Sequence, residues 1–87
     1  MPRISAFRGI TIAMFWDEGG HQTPHFHAEY SGQVASFAID GTLLVGSLPS
    51  RQLDLVERWA ELHAAELQAN WERARQLEPL EPIEPLA

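Results

Sequence analysis

The stretch HFHAEYSGQVASFAIDGTLLVG, residues 25–46, decides the fold. Residues two apart on a strand share a face. In HFHAEY that places Phe26, Ala28 and Tyr30 on one side and His25, His27 and Glu29 on the other. Ser31-Gly32 reads as a turn, and QVASFAI, residues 33–39, as the next strand. Asp40-Gly41 is a strong hairpin signal, because both residue types favour positive φ. TLLVG, residues 42–46, is a further strand. Strands joined by such short turns pair antiparallel, as a meander.

Working outward towards the start, GITIAMFW, residues 9–16, alternates as well. Ile10, Ile12, Met14 and Trp16 share one face, and Thr11, Ala13 and Phe15 the other. DEGGHQTP, residues 17–24, breaks the pattern with two glycines and a proline and reads as a loop.

Towards the end, Pro49 suits the first turn of a helix, where its missing N–H costs nothing. From there the period becomes helical. Leu53, Val56, Ala60, Ala64, Leu67, Trp71 and Ala74 form one stripe, while Leu55, Trp59 and Leu62 lie off it. A straight helix over 50–76 would be ~40 Å long, which outruns six-residue strands. A bend near His63 resolves that mismatch. The tail EPLEPIEPL repeats Glu-Pro-apolar three times. Proline at every third position forbids a helix and suits an extended strap.

The expected fold is therefore α+β. A small, mostly antiparallel four-stranded sheet carries a long or bent C-terminal helical segment on one face. The whole chain, 1–87, reads as one domain: strands over about 9–47, a helical segment over about 49–76, and an extended Pro-rich tail over 77–87.

Composition removes several function classes. The formal net charge is −6, lysine is absent, and the arginines are scattered. Phosphate backbones need a basic footprint, so nucleic-acid binding by this chain alone is not expected. There is no cysteine, hence no disulfide framework and no thiol chemistry. The N-terminal residues lack the pattern of a signal peptide, and no stretch approaches the ~20 apolar residues of a membrane span. A cytoplasmic protein is the expectation. No serine sits in a Gly-x-Ser-x-Gly context, and the glycines are too dispersed for a phosphate loop.

The segment HQTPHFHAE, residues 21–29, holds three of the four histidines. His25 and His27 lie ~6.6 Å apart along one strand face, close enough to converge on one ion. Glu29 or His21 is the candidate third ligand, and Asp17 and Glu18 are within reach from the loop. Neutral imidazoles with a carboxylate suit zinc, nickel or iron. The same two imidazoles also suit acid–base chemistry. They equally suit the polar side of a half-covered strand. Residues alone leave all three uses open.

A family resemblance narrows the setting. PRISAFRGITIAMFW, PHFHAEY, GSLPSRQLDLVERWAELHAAELQANWERA and IEPL, in that order, resemble the bacterial family called domain of unknown function 4160. The most specific elements are Pro24-His25-Phe26-His27, Trp59-Ala60-Glu61-Leu62-His63 and Asn70-Trp71. The family usually has two prolines before the first histidine, where this chain has Thr23-Pro24. Its longer loop carries Gly19-Gly20-His21, so His21 is not a residue the resemblance carries over. The family has no established activity. Its genes often neighbour those of domain of unknown function 2442, in pairs that look like toxin–antitoxin modules. The resemblance thus implies a bacterial protein with a small dedicated partner.

The leading expectation is a protein–protein interaction component of such a two-gene module. The alternatives are a small metal-dependent enzyme using His25 and His27, or a toxin ribonuclease using them as acid and base. Val34, Ala38, Ala13 and Phe15 are expected on the same uncovered face as the two histidines. That face is the expected contact for a homodimer or for the neighbouring gene's product.

Overall fold

The computed structural model describes residues 3–16 and 23–87. Five strands come first: β1 (Arg3–Phe7), β2 (Ile10–Ala13), β3 (His25–Tyr30), β4 (Gln33–Ala38) and β5 (Leu43–Gly46). Two helices follow, α1 (Ser50–Leu62) and α2 (Ala64–Arg75). The strands form one antiparallel sheet in chain order, β1-β2-β3-β4-β5. The α+β class and the antiparallel meander are as expected.

The strand count corrects the expected four to five. β1 hides its alternation. A register shift between Arg3 and Ser5 turns Ile4, Ser5 and Phe7 all inward, so its apolar residues do not fall two apart. Its turn, Arg8-Gly9, has positive φ at both residues (50° and 79°), the geometry of the tightest hairpins. Arginine is an uncommon residue for that position, so Arg8-Gly9 does not read as a turn of this kind. Ser31-Gly32 adopts the same conformation, with φ of 51° and 83°. Asp40-Gly41 does make a hairpin, by a different geometry. Only Gly41 has positive φ. Ala38 and Thr42 close a three-residue loop, and the Asp40 carboxylate accepts from the Thr42 N–H at 2.9 Å.

The helical segment is two helices, divided at His63. That residue has φ −118° and ψ 26°, outside the helical basin. The His63 ring packs 5.7 Å from Trp59, and its Nδ1 lies 2.6 Å from the Glu66 carboxylate. α1 buries Val56, Trp59 and Ala60; α2 buries Leu67, Asn70, Trp71 and Ala74. Trp59 is fully buried against Phe7 and Phe26. Phe26 stacks in turn on Phe37. These rings, with Ile10, Ile12, Met14, Ala28 and Ala35, form the core between the sheet and the helices. Within the expected stripe Ala64 is exposed, because the bend at His63 carries it off the buried face.

The tail is extended and lies against the domain. Ile83 is buried, with Leu80 and Leu86 half-buried. Its N–H donates to the Ile4 carbonyl at 2.7 Å, along the outer edge of β1. Among the described residues no helix is long and apolar enough to cross a membrane.

Candidate functional site

β3 pairs on both sides, so its register places the site. His27 lies opposite Ala13 of β2 and Ser36 of β4, and Ser36 lies opposite Val45 of β5. One step along, Glu29 lies between Thr11 and Val34. Cross-strand partners point the same way. These side chains therefore share the sheet face turned from Trp59. Phe15, just beyond β2, folds onto that face. Its ring stacks on His27, with centroids 4.9 Å apart and planes at 10°.

His25 stands apart from this group. It sits at the end of β3, and its ring meets His27 edge to face at 5.1 Å. On its other side it packs 5.2 Å from Trp71 of α2. Trp71 in turn meets Trp16 edge-on at 5.4 Å. Phe15, His27, His25, Trp71 and Trp16 thus form a continuous aromatic row from the open face to the helix layer. The expectation of two histidines equally remote from the helices needs this correction. Beyond the bend at His63, α2 reaches the end of β3 and contacts His25 there.

The two imidazoles differ in chemistry. His25 Nδ1 lies 2.7 Å from the Thr23 carbonyl oxygen. A carbonyl only accepts, so Nδ1 carries the proton and the neutral ring keeps its lone pair on Nε2. His27 Nδ1 is buried and has no hydrogen-bond partner among the described residues. Burial lowers the His27 pKa from its ordinary value, and the neighbouring His25 lowers it further. His27 is therefore neutral at pH 7.

As a metal set, the pair is incomplete. Among the described residues no three His, Asp or Glu side chains converge, so Glu29 does not join His25 and His27 around one point. His21, Asp17 and Glu18 lie outside the described residues. What the geometry offers is one oriented imidazole and one desolvated imidazole in edge contact. That is a pair of nitrogen ligands, or an acid–base pair.

Beside His27 the face opens into a cleft of ≈ 270 Å³, lined among others by Arg3, Thr11, Ala13, His27, Glu29 and Val34. Further out the surface is apolar. On this face Val34 is 52% exposed and Val45, opposite Ser36 on the last strand, is 69% exposed. Sequence reasoning missed Arg3, because β1 was not recognised as a strand. It also missed the contact of Trp71 with His25, which depends on the path of α2.

No curated protein and no solved structure matches the chain. A family profile, Domain of unknown function (DUF4160), matches residues 9–72, from the start of β2 through most of α2. The histidine strand, its aromatic partners Phe15, Trp16 and Trp71, and the bend at His63 all fall within that stretch, and on it the chain belongs to the DUF4160 family.

Proposed function

We propose that this protein is the protein–protein interaction component of a two-gene, toxin–antitoxin-like bacterial module, and that it docks its partner on the open sheet face. The observation that carries this reading is the exposed apolar surface of β4 and β5, led by Val34 and Val45, continuous with the cleft beside His27. Large exposed apolar side chains grouped on one face mark a contact surface. His27 and Phe15 give that surface a rigid aromatic centre, of the kind that dominates binding energy. The acidic balance, −6 overall, favours a basic partner. The candidate is the product of the neighbouring gene, of the domain of unknown function 2442 type; the alternative occupant is a second copy of this chain. Light scattering of the protein with and without that product is the test. A complex that Phe15→Glu abolishes, in a protein whose circular dichroism is unchanged, is the expected outcome. A chain that stays monomeric and ignores the product removes the reading.

One observation favours a second reading, a metal-dependent enzyme. His25 Nε2 is left as an acceptor, and His27 Nδ1 has no partner among the described residues. Zinc, nickel or iron content, measured in tag-free protein and in His25→Ala and His27→Ala, tests it. Loss of metal in both variants supports the reading; a wild type that takes up no metal after dialysis removes it.

A further inference from the structure

The C-terminal strap is held by a site built for a peptide main chain. Asn70, fully buried on α2, grips residue 81 from both sides. Its Nδ2 donates to the Glu81 carbonyl at 2.8 Å, and its Oδ1 accepts from the Glu81 N–H at 2.9 Å. The same Oδ1 accepts from Arg73 at 2.8 Å, which fixes the amide's orientation. Two residues on, the Ile83 N–H donates to the Ile4 carbonyl, as an added strand would at the edge of β1. Trp59 Nε1 then donates to the Glu84 carbonyl at 2.9 Å. At the far end Arg8 donates to the Ala87 carbonyl at 2.8 Å. Between these anchors the Ile83 side chain is 4% exposed. Five main-chain hydrogen bonds and one filled pocket are the usual elements of extended-peptide recognition.

Nothing in those contacts requires that the strap belong to the same chain. The link that makes it do so is a strained one. α2 ends with the Leu77 N–H bonded to the Ala74 carbonyl and the Glu78 N–H bonded to the Arg73 carbonyl. That is a helix stop in which glycine normally occupies the left-handed position. Here the position is Leu77, with φ 58° and its side chain exposed. Straightening the link releases that residue to an ordinary conformation. Short, strained hinges favour exchange of an element between copies. Pro79, Pro82 and Pro85 keep a detached strap extended, so redocking elsewhere orders little new chain. At ~3.1 Å per residue the ten residues from Glu78 span ~30 Å, enough to cross a domain of 33 × 25 × 20 Å.

We propose that the groove formed by β1, Trp59 and Asn70 is a binding site for an extended, proline-spaced acidic peptide with isoleucine at its centre, and that the strap of a second copy fills it by reciprocal exchange. This dimer uses the helix-layer side of the molecule and leaves the open sheet face free. Phe15→Glu therefore leaves it intact and serves as the background in which to test it.

Two full-length variants in that background complement each other. Asn70→Ala weakens the groove and keeps the strap, and Ile83→Asp weakens the strap and keeps the groove. Mixed, they are expected to give a heterodimer mass by light scattering that neither gives alone. A synthetic peptide of residues 77–87 is expected to raise the melting temperature of Ile83→Asp. It should bind that variant at least about tenfold more tightly than it binds the protein with the unsubstituted strap, because an intact strap competes at an effective concentration of about millimolar. If Ile83→Asp does not fold alone, recovery of its helical circular dichroism on adding the peptide is the supporting result. A mixture of constant monomer mass, together with a peptide that shifts neither melting nor circular dichroism, overturns the proposal.

Discussion

The two faces of β3 follow opposite rules. Phe26 and His27 are neighbours in the chain, with aromatic rings pointing to opposite sides of one sheet. Phe26 is fully buried between Phe37 and Trp59, within the hydrophobic core. His27 is half-buried, stacked on Phe15, with one ring nitrogen that has no partner among the described residues. The first face is closed by the chain's own helices and carries its stability. The second is closed only in part, and it keeps a polar group whose hydrogen bond the described residues leave unmade. A buried ring nitrogen whose hydrogen bond is unmade lowers stability, whereas the apolar rings of the other face carry no such cost.

The contrast can be broken most sharply at Phe26. Phe26→Ala should cost about 3–5 kcal/mol, as a large-to-small change in a filled core. Urea denaturation measures it, and a comparable loss in His27→Ala would show that both faces are equally covered.

A smaller effect is expected at Gly46, where the open edge of the sheet is pinned. It has φ 81°, and a Cβ there would run into the Val34 carbonyl oxygen. Gly46→Ala should cost about 2–3 kcal/mol through backbone strain and the displaced strand. A melting curve matching wild type would mean that β5 is free to shift on β4.

His27 sharpens the comparison through pH. Its folded pKa lies below the ordinary 6.5, so on acidification the unfolded chain takes up the proton first. Stability is then fully present above the unfolded value and falls as pH drops from there through the lowered folded value. In His27→Phe that part of the pH dependence should disappear. At neutral pH the substitution should change stability by less than about 1 kcal/mol, because a buried unpaired nitrogen is removed along with the imidazole. Denaturation midpoints at about pH 7.5 and about pH 5.5, compared between the two proteins, measure both effects. An unchanged pH slope in the variant would assign it to another group.

The smallest change in stability is expected furthest from the core. Val45→Lys should alter folding by no more than about 0.5 kcal/mol, since Val45 is largely exposed. On the proposed docking face the same change should weaken partner binding. Stability unchanged and binding unchanged together would take β5 out of the interface.

Much of this was legible in the chain. Period-two spacing placed Phe26, Ala28 and Phe37 in the core and His27 and Val34 on the open face. Helical spacing placed Val56, Leu67 and Trp71, and the length of the helical stretch favoured a bend or break near His63 without deciding between one helix and two. β1 was not legible, because a register shift removed the alternation by which a strand is recognised. Nor was the division between the two histidines. They are two residues apart and read alike, and they differ because α2 brings Trp71 beside His25 while Phe15 stacks on His27.

Sequence by itself determined the class of fold, the alternation of its faces and the family to which the chain belongs, because these rest on local spacing and short motifs. Tertiary structure alone decided which polar groups meet across the chain. Asn70 reads as one more polar helix residue until the strap returns to it, and His25 reads as a twin of His27 until Trp71 arrives. Those pairings join residues far apart in the chain, some as distant as Arg8 and Ala87. No local period encodes them. They are set by where the bend at His63 sends α2, and by which edge of the sheet is left for the strap to cover.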